Sequence, residues 1–273
     1  MVSKYKNLLI YILLLIGSFI MIFPFLWMVS ASLKTDAQVF DYPIRWIPEN
    51  PEWQNYIDIW QQINFLTYYK NTLFLTAMVT VLSLLTSSLA AYAFSKIEFP
   101  ERNTLFLLYI GTIAVPFQVI MIPQFIMMKN IGLSDTLWAL VLIQSFSPFG
   151  VFLLRQFFMS IPNELCEAAR IDGLNDLGIF SKIILPLAKP ALAALAIFQF
   201  VFVWNDYLAP LIYLSSDQKK TIQLGIMKFL TQYSAEYALI MAASVVALIP
   251  VIIVFVLAQK YFVEGIAMSG IKT

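Results

Sequence analysis

The chain alternates between long apolar stretches and short polar segments. A membrane-spanning helix needs about 20 mostly apolar residues, and six stretches meet or approach that length. We predict six transmembrane helices, approximately at residues 8–33, 71–95, 103–128, 136–158, 188–214 and 237–259. The fifth is the least regular, because Asp206 interrupts it. The pattern therefore predicts an all-α integral membrane protein that forms a single transmembrane domain, residues 1–273.

The composition supports a membrane protein and excludes several other classes. The sequence is 60% hydrophobic and 12% charged, whereas soluble domains are about 25% charged. A net charge of +1 argues against a nucleic-acid partner, which would require a basic face. The chain has no histidine and one cysteine, Cys166, so we predict no metal site, no catalytic residue and no internal disulfide. We expect Cys166 to be a small buried residue.

The two ends of the chain are predicted to lie on the same side of the membrane, because the number of spans is even. Lys4 and Lys6 precede an uncharged stretch from Asn7 to Leu33, which is too long for the apolar core of a signal peptide, about 7–15 residues. We therefore expect a retained first helix. With both termini in the cytoplasm, ten of the 17 Lys and Arg residues lie inside, as the positive-inside rule requires.

The first external loop, residues 34–70, is rich in aromatic residues. Three prolines are interspersed there with Trp46, Trp53, Tyr56 and Trp60. Aromatic side chains of this kind favour the membrane interface, so the loop is predicted to be an interfacial cap. A docking surface for an extracytoplasmic partner is the alternative hypothesis.

The longest polar segment on the predicted cytoplasmic side, residues 160–190, has the pattern of a helical hairpin. Pro162 suits the first turn of a helix, Gly173 suits a left-handed exit from it, and Asn175 suits the N-cap of a second helix. Helical spacing predicts one face made of Leu165, Ala168, Ala169 and Asp172, and an apolar face made of Phe180, Ile183, Ile184 and Leu187. A hairpin this short cannot bury its own apolar face, which predicts a partner groove.

The same segment contains a specific motif. Glu167-Ala168-Ala169 is followed after three residues by Gly173, and after nine more by Ile183-Ile184-Leu185-Pro186. This is similar, at all seven specified positions, to the EAA loop of the permease subunits of bacterial ABC importers. The resemblance covers nearly the whole chain and is closest to the carbohydrate-uptake branch, in particular the maltose-type second permease subunit. Shorter segments that support it are 32–35, 46–51, 71–72, 169–173, 204–206 and 261–266.

The resemblance implies a type I ABC importer permease fold with a cytoplasmic EAA coupling helix, in a prokaryotic cytoplasmic membrane. It implies a sugar as cargo, a di- or oligosaccharide, and as partners a second permease subunit, two ATPase subunits and an extracytoplasmic solute-binding protein. The ATPase-coupling residues implied are Glu167, Ala168, Ala169, Asp172, Gly173, Ile183, Leu185 and Pro186. Residues 270–273 are implied to reach the ATPase dimer. The sequence has no G-x-x-x-x-G-K-[ST] motif, so we expect ATP and Mg²⁺ on the ATPase and no cofactor on this chain.

Asp206 is the acidic residue within a predicted span, and such residues are functional by default. With Trp204, Asn205 and Tyr207 it is a candidate lining of a sugar path, since sugars require hydrogen bonds and an aromatic face. The alternative is a structural contact at a helix break, or a residue at the outer interface.

Two other functions are alternatives to sugar import. An ABC importer of a polyamine, phosphate or metal complex keeps the same loop but changes the cargo, and no cluster of intramembrane arginines favours an anion. A secondary transporter or channel would act without an ATPase and leaves the EAA loop unexplained.

Overall fold

The protein is helical throughout the part of the chain that can be described. The computed structural model describes residues 2–230 and 235–270, and the side chains of residues 7–230 and 235–259. Within these residues, an isolated bridge between Leu230 and Ala235 is the nearest approach to β-structure. The predicted all-α class is therefore confirmed.

The α-helices differ widely in length, from three residues to 34. They are α1 (Val2–Ser32), α2 (Asp36–Val39), α3 (Asn55–Gln61), α4 (Phe65–Lys96), α5 (Arg102–Gly111), α6 (Phe117–Asn130), α7 (Leu137–Gln144), α8 (Pro148–Ser160), α9 (Asn163–Ile171), α10 (Asp176–Ile179), α11 (Leu185–Leu187), α12 (Lys189–Trp204), α13 (Leu208–Tyr213), α14 (Ile222–Ile226) and α15 (Tyr237–Gly270). Short 3-10 turns follow α5, α13 and α14, and a π-helical segment, Phe180–Ile184, joins α10 to α11.

Several of these helices are long and apolar enough to cross a membrane. Four stretches among the described residues meet that requirement directly: Asn7–Ser32, Phe65–Lys96, Leu137–Ser160 and Tyr237–Gln259. Two further pairs of helices meet the requirement only when the two helices of a pair are counted together. The pair within 102–130 is bent by 100°, and the pair within 176–204 is bent by 79°. By length and composition, the described residues thus contain four candidate spans, or up to six if each bent pair is one span.

The predicted third and fifth spans are not continuous helices. In the third, Val115 is extended (φ −82°, ψ 113°), because a residue that precedes proline is disfavoured in the helical region. Pro116 then begins α6 as its N-cap. In the fifth, α12 ends at Trp204 and α13 begins at Leu208. The sequence pattern missed the break at Val115 because the residues on both sides of it are apolar, whereas Asp206 marked the fifth span as irregular.

The chain divides into two compact units, which are described separately. One contains Met1–Leu66 and Leu224–Ile249, and the other contains Thr67–Gln223 and Pro250–Thr273. The predicted single-domain organisation stays a prediction.

In the first unit, the loop after α1 folds back onto the end of that helix. The last carbonyls of a helix lack partners within it, and the Asn55 side-chain amide donates to the carbonyls of Ser32 and Lys34 at 2.9 Å each. The Trp46 ring packs edge-on against Phe23, with a centroid distance of 5.0 Å. These aromatic residues thus hold the loop on its own helix, while Trp53 stays 65% exposed.

In the second unit, α4 runs past two clusters of buried side chains. Leu75 and Val79 belong to a cluster shared with α6, α7 and α13. Ala91 and Tyr92 belong to a second cluster, shared with α8, the hairpin and α12. Close helix packing here depends on Gly150, because a Cβ at this position would lie 2.6 Å from the Ser87 hydroxyl oxygen.

Candidate functional site

The predicted hairpin is present, and Gly173 makes its turn. Gly173 has φ +86°, a conformation that glycine adopts without a Cβ penalty. Its N–H donates to the Arg170 carbonyl at 3.0 Å, and the Leu174 N–H donates to the Ala169 carbonyl at 2.9 Å. These two bonds define a Schellman motif, which satisfies carbonyls that the end of α9 would leave unpaired. The predicted glycine turn is confirmed, although Pro162 is the N-cap of α9 rather than its first residue.

The second helix of the hairpin begins as predicted and then changes its hydrogen-bonding pattern. The Asn175 side-chain oxygen accepts the Gly178 N–H at 2.8 Å, which confirms Asn175 as the N-cap. Further along, the Leu185 N–H donates to the carbonyl of Phe180, five residues earlier. We attribute this wider turn to Pro186, because a proline lacks an N–H and its ring crowds the carbonyl four residues before it.

Three of the four residues predicted to share one face of α9 are exposed. Leu165, Ala168 and Asp172 are exposed, whereas Ala169 and Cys166 are buried. The predicted shared face is therefore wrong only for Ala169. The predicted burial of Cys166 is confirmed.

The apolar face of the second helix is covered mainly by the chain itself. Phe180 and Ile184 are buried in the cluster that holds Tyr92 of α4 and Phe158 of α8, and Ile183 packs against it. The prediction that this face requires a partner groove is therefore wrong for these side chains. Leu187 remains 48% exposed.

The outer face of the hairpin carries apolar side chains that nothing within the described residues covers. Ile171 is 87% exposed, Leu177 is 66% exposed and Leu165 is 45% exposed. Ala168 and Glu167 are also exposed. Exposed apolar side chains grouped on one surface and surrounded by polar groups are typical of a protein interaction site.

The other candidate coupling residues are distributed between this outer surface and the core. Gly173 and Pro186 are exposed, while Ile183 and Leu185 are half-buried. Asp172 is exposed at the C-cap of α9. Ala169 is 5% exposed and belongs to the chain's own core. The hairpin therefore offers Ala168, and not Ala169, for close approach by another backbone.

The two helices of the hairpin are also linked by charge. Arg170 in the last turn of α9 forms an ion pair with Asp176 at the start of α10, with an N–O distance of 2.9 Å. The hydrogen bond and the charge of Asp176 raise the pKa of Arg170. Opposite charges thus meet where the chain leaves one helix and enters the next.

Asp206 lies at the break between α12 and α13, and both of its carboxylate oxygens accept hydrogen bonds. Its carboxylate accepts a hydrogen bond from the Gln144 side-chain amide at 2.7 Å. Its other oxygen accepts the Ala209 N–H at 3.3 Å, which satisfies one of the free donors at the start of α13. Sequence reasoning missed Gln144, because the two residues are 62 positions apart and nothing local marks the pair.

The residues grouped with Asp206 have different environments. The Trp204 ring is 1% exposed and lies between the rings of Tyr69 and Phe200, with centroid distances of 5.5 Å to both. Trp204 is thus buried within this chain, and its assignment to a sugar path stays a prediction. Asn205 and Tyr207 are exposed.

The sequence also gave no indication that Lys96 contacts the hairpin. Its ammonium group donates to the Ile161 carbonyl at 2.6 Å and to the Asn163 side-chain oxygen at 2.7 Å. Both acceptors lie at the corner between α8 and α9. A lysine at the end of a span indicates only membrane topology when it is considered alone.

Comparison with known proteins identifies the family. Residues 83–267, which include the whole hairpin, match the family described as "Binding-protein-dependent transport system inner membrane component". Because this match covers more than half of the chain, the protein belongs to that family. The chain is therefore an integral membrane component of a transport system, and the predicted ABC permease family is confirmed.

Two relatives and one solved structure are similar along nearly their whole length. The arabinooligosaccharides transport system permease protein AraQ of Halalkalibacterium halodurans is 37% identical over 258 residues, 93% of this chain and 92% of that protein. The sn-glycerol-3-phosphate transport system permease protein UgpE of Yersinia pestis is 37% identical over 268 residues, 95% of each chain. A chain of a bacterial ABC transporter involved in the import of the acidic polysaccharide alginate superposes with a TM-score of 0.81 at 29% identity, covering 95% of this chain and 97% of that chain.

Proposed function

We propose that this chain is a permease subunit of an ATP-driven sugar importer in a prokaryotic cytoplasmic membrane. It crosses the membrane six times, with the bent pair within 102–130 as one span and residues 188–214 as another, and both termini are cytoplasmic. The segment of residues 160–190 then lies in the cytosol. Sugar passes through the membrane while a separate ATPase supplies the energy, and this chain itself binds neither ATP nor Mg²⁺.

One observation carries the proposal: the hairpin is held by the chain on one side and uncovered on the other. Ile171 and Leu177 are large apolar side chains that a cytosolic segment would expose to water at a cost of about 1.5–3 kcal/mol each relative to burial. A groove on the ATPase that covers them recovers that free energy. The sequence has no phosphate-binding loop of its own, which is in keeping with an external motor.

The roles of the hairpin residues follow from their positions. Glu167 makes a polar contact with the ATPase, and Ala168 permits close approach of its backbone. Gly173 keeps the two helices in a fixed geometry, so the hairpin moves as a rigid body when the ATPase dimer closes. That displacement switches the permease between inward- and outward-facing states, which is alternating access by rigid-body movement.

The partners follow from the family and from the resemblance of the motif. A binding-protein-dependent system delivers its cargo through an extracytoplasmic solute-binding protein, so we propose such a protein on the outer face. A second permease subunit and two ATPase subunits complete the assembly, as in the ABC importers that the motif resembles. We also propose that residues 270–273 contact the ATPase. Of these, residues 271–273 lie outside the described part of the chain.

A sugar is the cargo that the chain and its relatives favour. Two of the similar proteins are named for carbohydrates, arabinooligosaccharides and the acidic polysaccharide alginate. Asn205, Asp206 and Tyr207 supply hydrogen-bonding groups and an aromatic ring at a helix break, which suits sugar hydroxyls. The relative named for sn-glycerol-3-phosphate makes a small phosphorylated polyol the second candidate.

Purification of the assembled complex tests these proposals. The tagged chain is purified from native membranes with the proteins that bind it, and the complex is reconstituted in proteoliposomes and supplied with the solute-binding protein. Uptake of tritiated arabinotriose, maltotriose and glycerol 3-phosphate is then measured with and without ATP. We expect co-purification of an ATPase and ATP-dependent uptake of an oligosaccharide. Uptake by the isolated chain without an ATPase would overturn the proposal, and uptake of glycerol 3-phosphate alone would change the cargo.

A further inference from the structure

The cytosolic end of α4 holds the coupling hairpin at two points. At the first, Lys96 donates to the carbonyl of Ile161 and to the side chain of Asn163. Ile161 is the C-cap of α8, and Asn163 is the first residue of α9. A single ammonium group therefore joins the ends of α4 and α8 to the start of α9. Hydrogen bonds that involve a charged donor are about twice as strong as neutral ones.

At the second point, Tyr92 contacts the start of the other hairpin helix. Its ring lies 5.3 Å from the ring of Phe180, centroid to centroid, and its hydroxyl donates to the Asp176 carboxylate at 3.5 Å. Asp176 in turn pairs with Arg170. Both helices of the hairpin are thus attached to the last two turns of α4, so a displacement of the hairpin is transmitted to this helix.

The opposite end of α4 is also hydrogen-bonded, to the segment 217–222. The Tyr68 hydroxyl donates to Asp217 at 2.8 Å. The Asn71 amide donates to the carbonyls of residues 218 and 220 at 2.9 Å each. The Thr72 hydroxyl oxygen accepts the N–H of Ile222 at 2.8 Å. This segment follows α13, and therefore follows the helix break that contains Asp206.

Between these two ends, α4 has the properties of a stiff rod. At about 1.5 Å per residue, its 32 residues extend about 48 Å, which exceeds the ~30 Å hydrocarbon core of a bilayer. In contrast to α1 and α15, it contains neither proline nor glycine. Sharp helix kinks occur almost always at such residues, at π-bulges or at inserted groups. A rod of this kind moves as a unit when one end is displaced.

We propose that α4 transmits the movement of the coupling hairpin to the opposite side of the membrane, with Lys96 as the positioning residue that attaches the hairpin to it. This inference rests on the proposed function, since it assigns a route to the ATPase-driven movement. The alternative is a purely structural role for Lys96. In that case the ammonium group stabilises the corner between α8 and α9 but does not transmit the movement of the hairpin to α4.

A labelling experiment on the reconstituted complex tests the route. Lys70, exposed at the other end of α4, is replaced by cysteine, and its reaction with a membrane-impermeant maleimide is followed with and without Mg²⁺ and a non-hydrolysable ATP analogue. Vesicles without Lys70→Cys give the background from the buried Cys166. We expect the nucleotide to change the labelling rate by about fivefold or more, the lower limit of typical allosteric coupling.

The variants then decide the role of Lys96. We expect Lys96→Gln to abolish the nucleotide response while the complex still assembles, and Lys96→Arg to retain it. Lys189→Gln, at an exposed lysine that starts α12, is the matched control and retains the response. If Lys96→Gln prevents assembly, Asn163→Ala removes one acceptor at an exposed position and is expected to weaken the response.

An unchanged response in Lys96→Gln, or in Asn163→Ala if Lys96→Gln does not assemble, would overturn the inference. So would the lack of any nucleotide response in the parent complex. ATP-driven uptake of tritiated arabinotriose, maltotriose and glycerol 3-phosphate is measured on the same vesicles. ATP-driven uptake without a response of α4 rejects only the transmission route, whereas uptake that does not depend on ATP rejects the proposed function as well.

Discussion

The guanidinium group of Arg170 lies 2.9 Å from the carboxylate of Asp176, across the turn that Gly173 makes. Both side chains are about half exposed, and ion pairs in contact with water contribute little stability. The geometry of the hairpin therefore depends mainly on the backbone of Gly173 and on the buried side chains beneath it. We therefore expect the proposed coupling to the ATPase to depend more on the turn at Gly173 than on the ion pair.

Replacement of Gly173 by proline is expected to separate ATP hydrolysis from transport. Proline fixes φ near −65° and removes the N–H that donates to Arg170, so the turn cannot form. The spans do not include this residue, and the chain should still insert in the membrane. We expect uptake by the reconstituted complex to fall by about tenfold or more while ATP hydrolysis continues, within the usual range of coupling free energies.

The matched control for this change is Gly173→Asn, because asparagine tolerates the left-handed conformation. We expect this variant to retain more than half of the uptake activity. Normal uptake by Gly173→Pro would contradict the assignment of the hairpin as the coupling element.

Gly150 is expected to be sensitive to a larger side chain. A Cβ there would lie 2.6 Å from the Ser87 hydroxyl oxygen and 3.1 Å from two methyl carbons of Leu195. Gly150→Val should destabilise the protein by about 1–3 kcal/mol, the usual cost of overpacking. The melting temperature in detergent measures this change, with Gly17→Val as the control, since nothing lies within 4 Å of a Cβ at Gly17.

A second substitution distinguishes overpacking from other causes. Ser87→Gly in the Gly150→Val background removes the closest atom, and we expect it to recover part of the lost stability. If Gly17→Val is as destabilising as Gly150→Val, the cause is not the contact with Ser87.

The Asp135 carboxylate is expected to hold the segment after α13 over a wide range of pH. It accepts hydrogen bonds from the N–H groups of Ser215 and Ser216 at 2.9 and 3.0 Å, from the Ser216 hydroxyl, and from Lys219 at 3.3 Å. These contacts, led by the Ser216 hydroxyl, hold the pKa of Asp135 well below its ordinary value. A depressed pKa stabilises the folded state above the unfolded pKa of about 3.9.

This stabilisation is lost only as the pH falls through the low pKa of the folded state. We therefore expect the exchange protection of residues 215–219, corrected for intrinsic rates, to stay constant from pH 7 to about pH 4.5. Asp135→Asn should increase exchange by about tenfold at every pH, the equivalent of one charge-assisted hydrogen bond. Protection that declines between pH 6 and pH 4.5 would contradict the shifted pKa.

Substitutions at Asp206 distinguish a structural contact from a charge required for transport. Asp206→Asn keeps an oxygen that can accept from Gln144, so we expect uptake above half of the wild-type rate. Asp206→Leu leaves the Gln144 amide without this acceptor and should destabilise the protein by about 1–3 kcal/mol. Uptake and melting temperature are measured together. A loss of uptake in Asp206→Asn with an unchanged melting temperature would show that the negative charge itself serves transport.

The features that the sequence determined by itself are those formed by neighbouring residues. The turn at Gly173 and the cap at Asn175 close through bonds between residues three to five positions apart, so their geometry is a property of the local sequence. The helical class follows for a similar reason, since an apolar segment in a bilayer must satisfy its backbone groups internally. The EAA motif could therefore be recognised before its surroundings were known.

The tertiary structure alone decided which apolar side chains face inward. In a membrane, lipid and protein core are equally apolar, so hydrophobicity does not distinguish a residue that faces lipid from one that packs inside. Outside the membrane, spacing has a similar limit, because it shows which residues share a face but not which face the rest of the chain covers. Ala169 was grouped with Ala168 in this way, although Ala169 is buried. The contacts of Lys96 with the hairpin and of Gln144 with Asp206 join residues more than 60 positions apart. Such pairs exist only because the packing of whole helices brings them together.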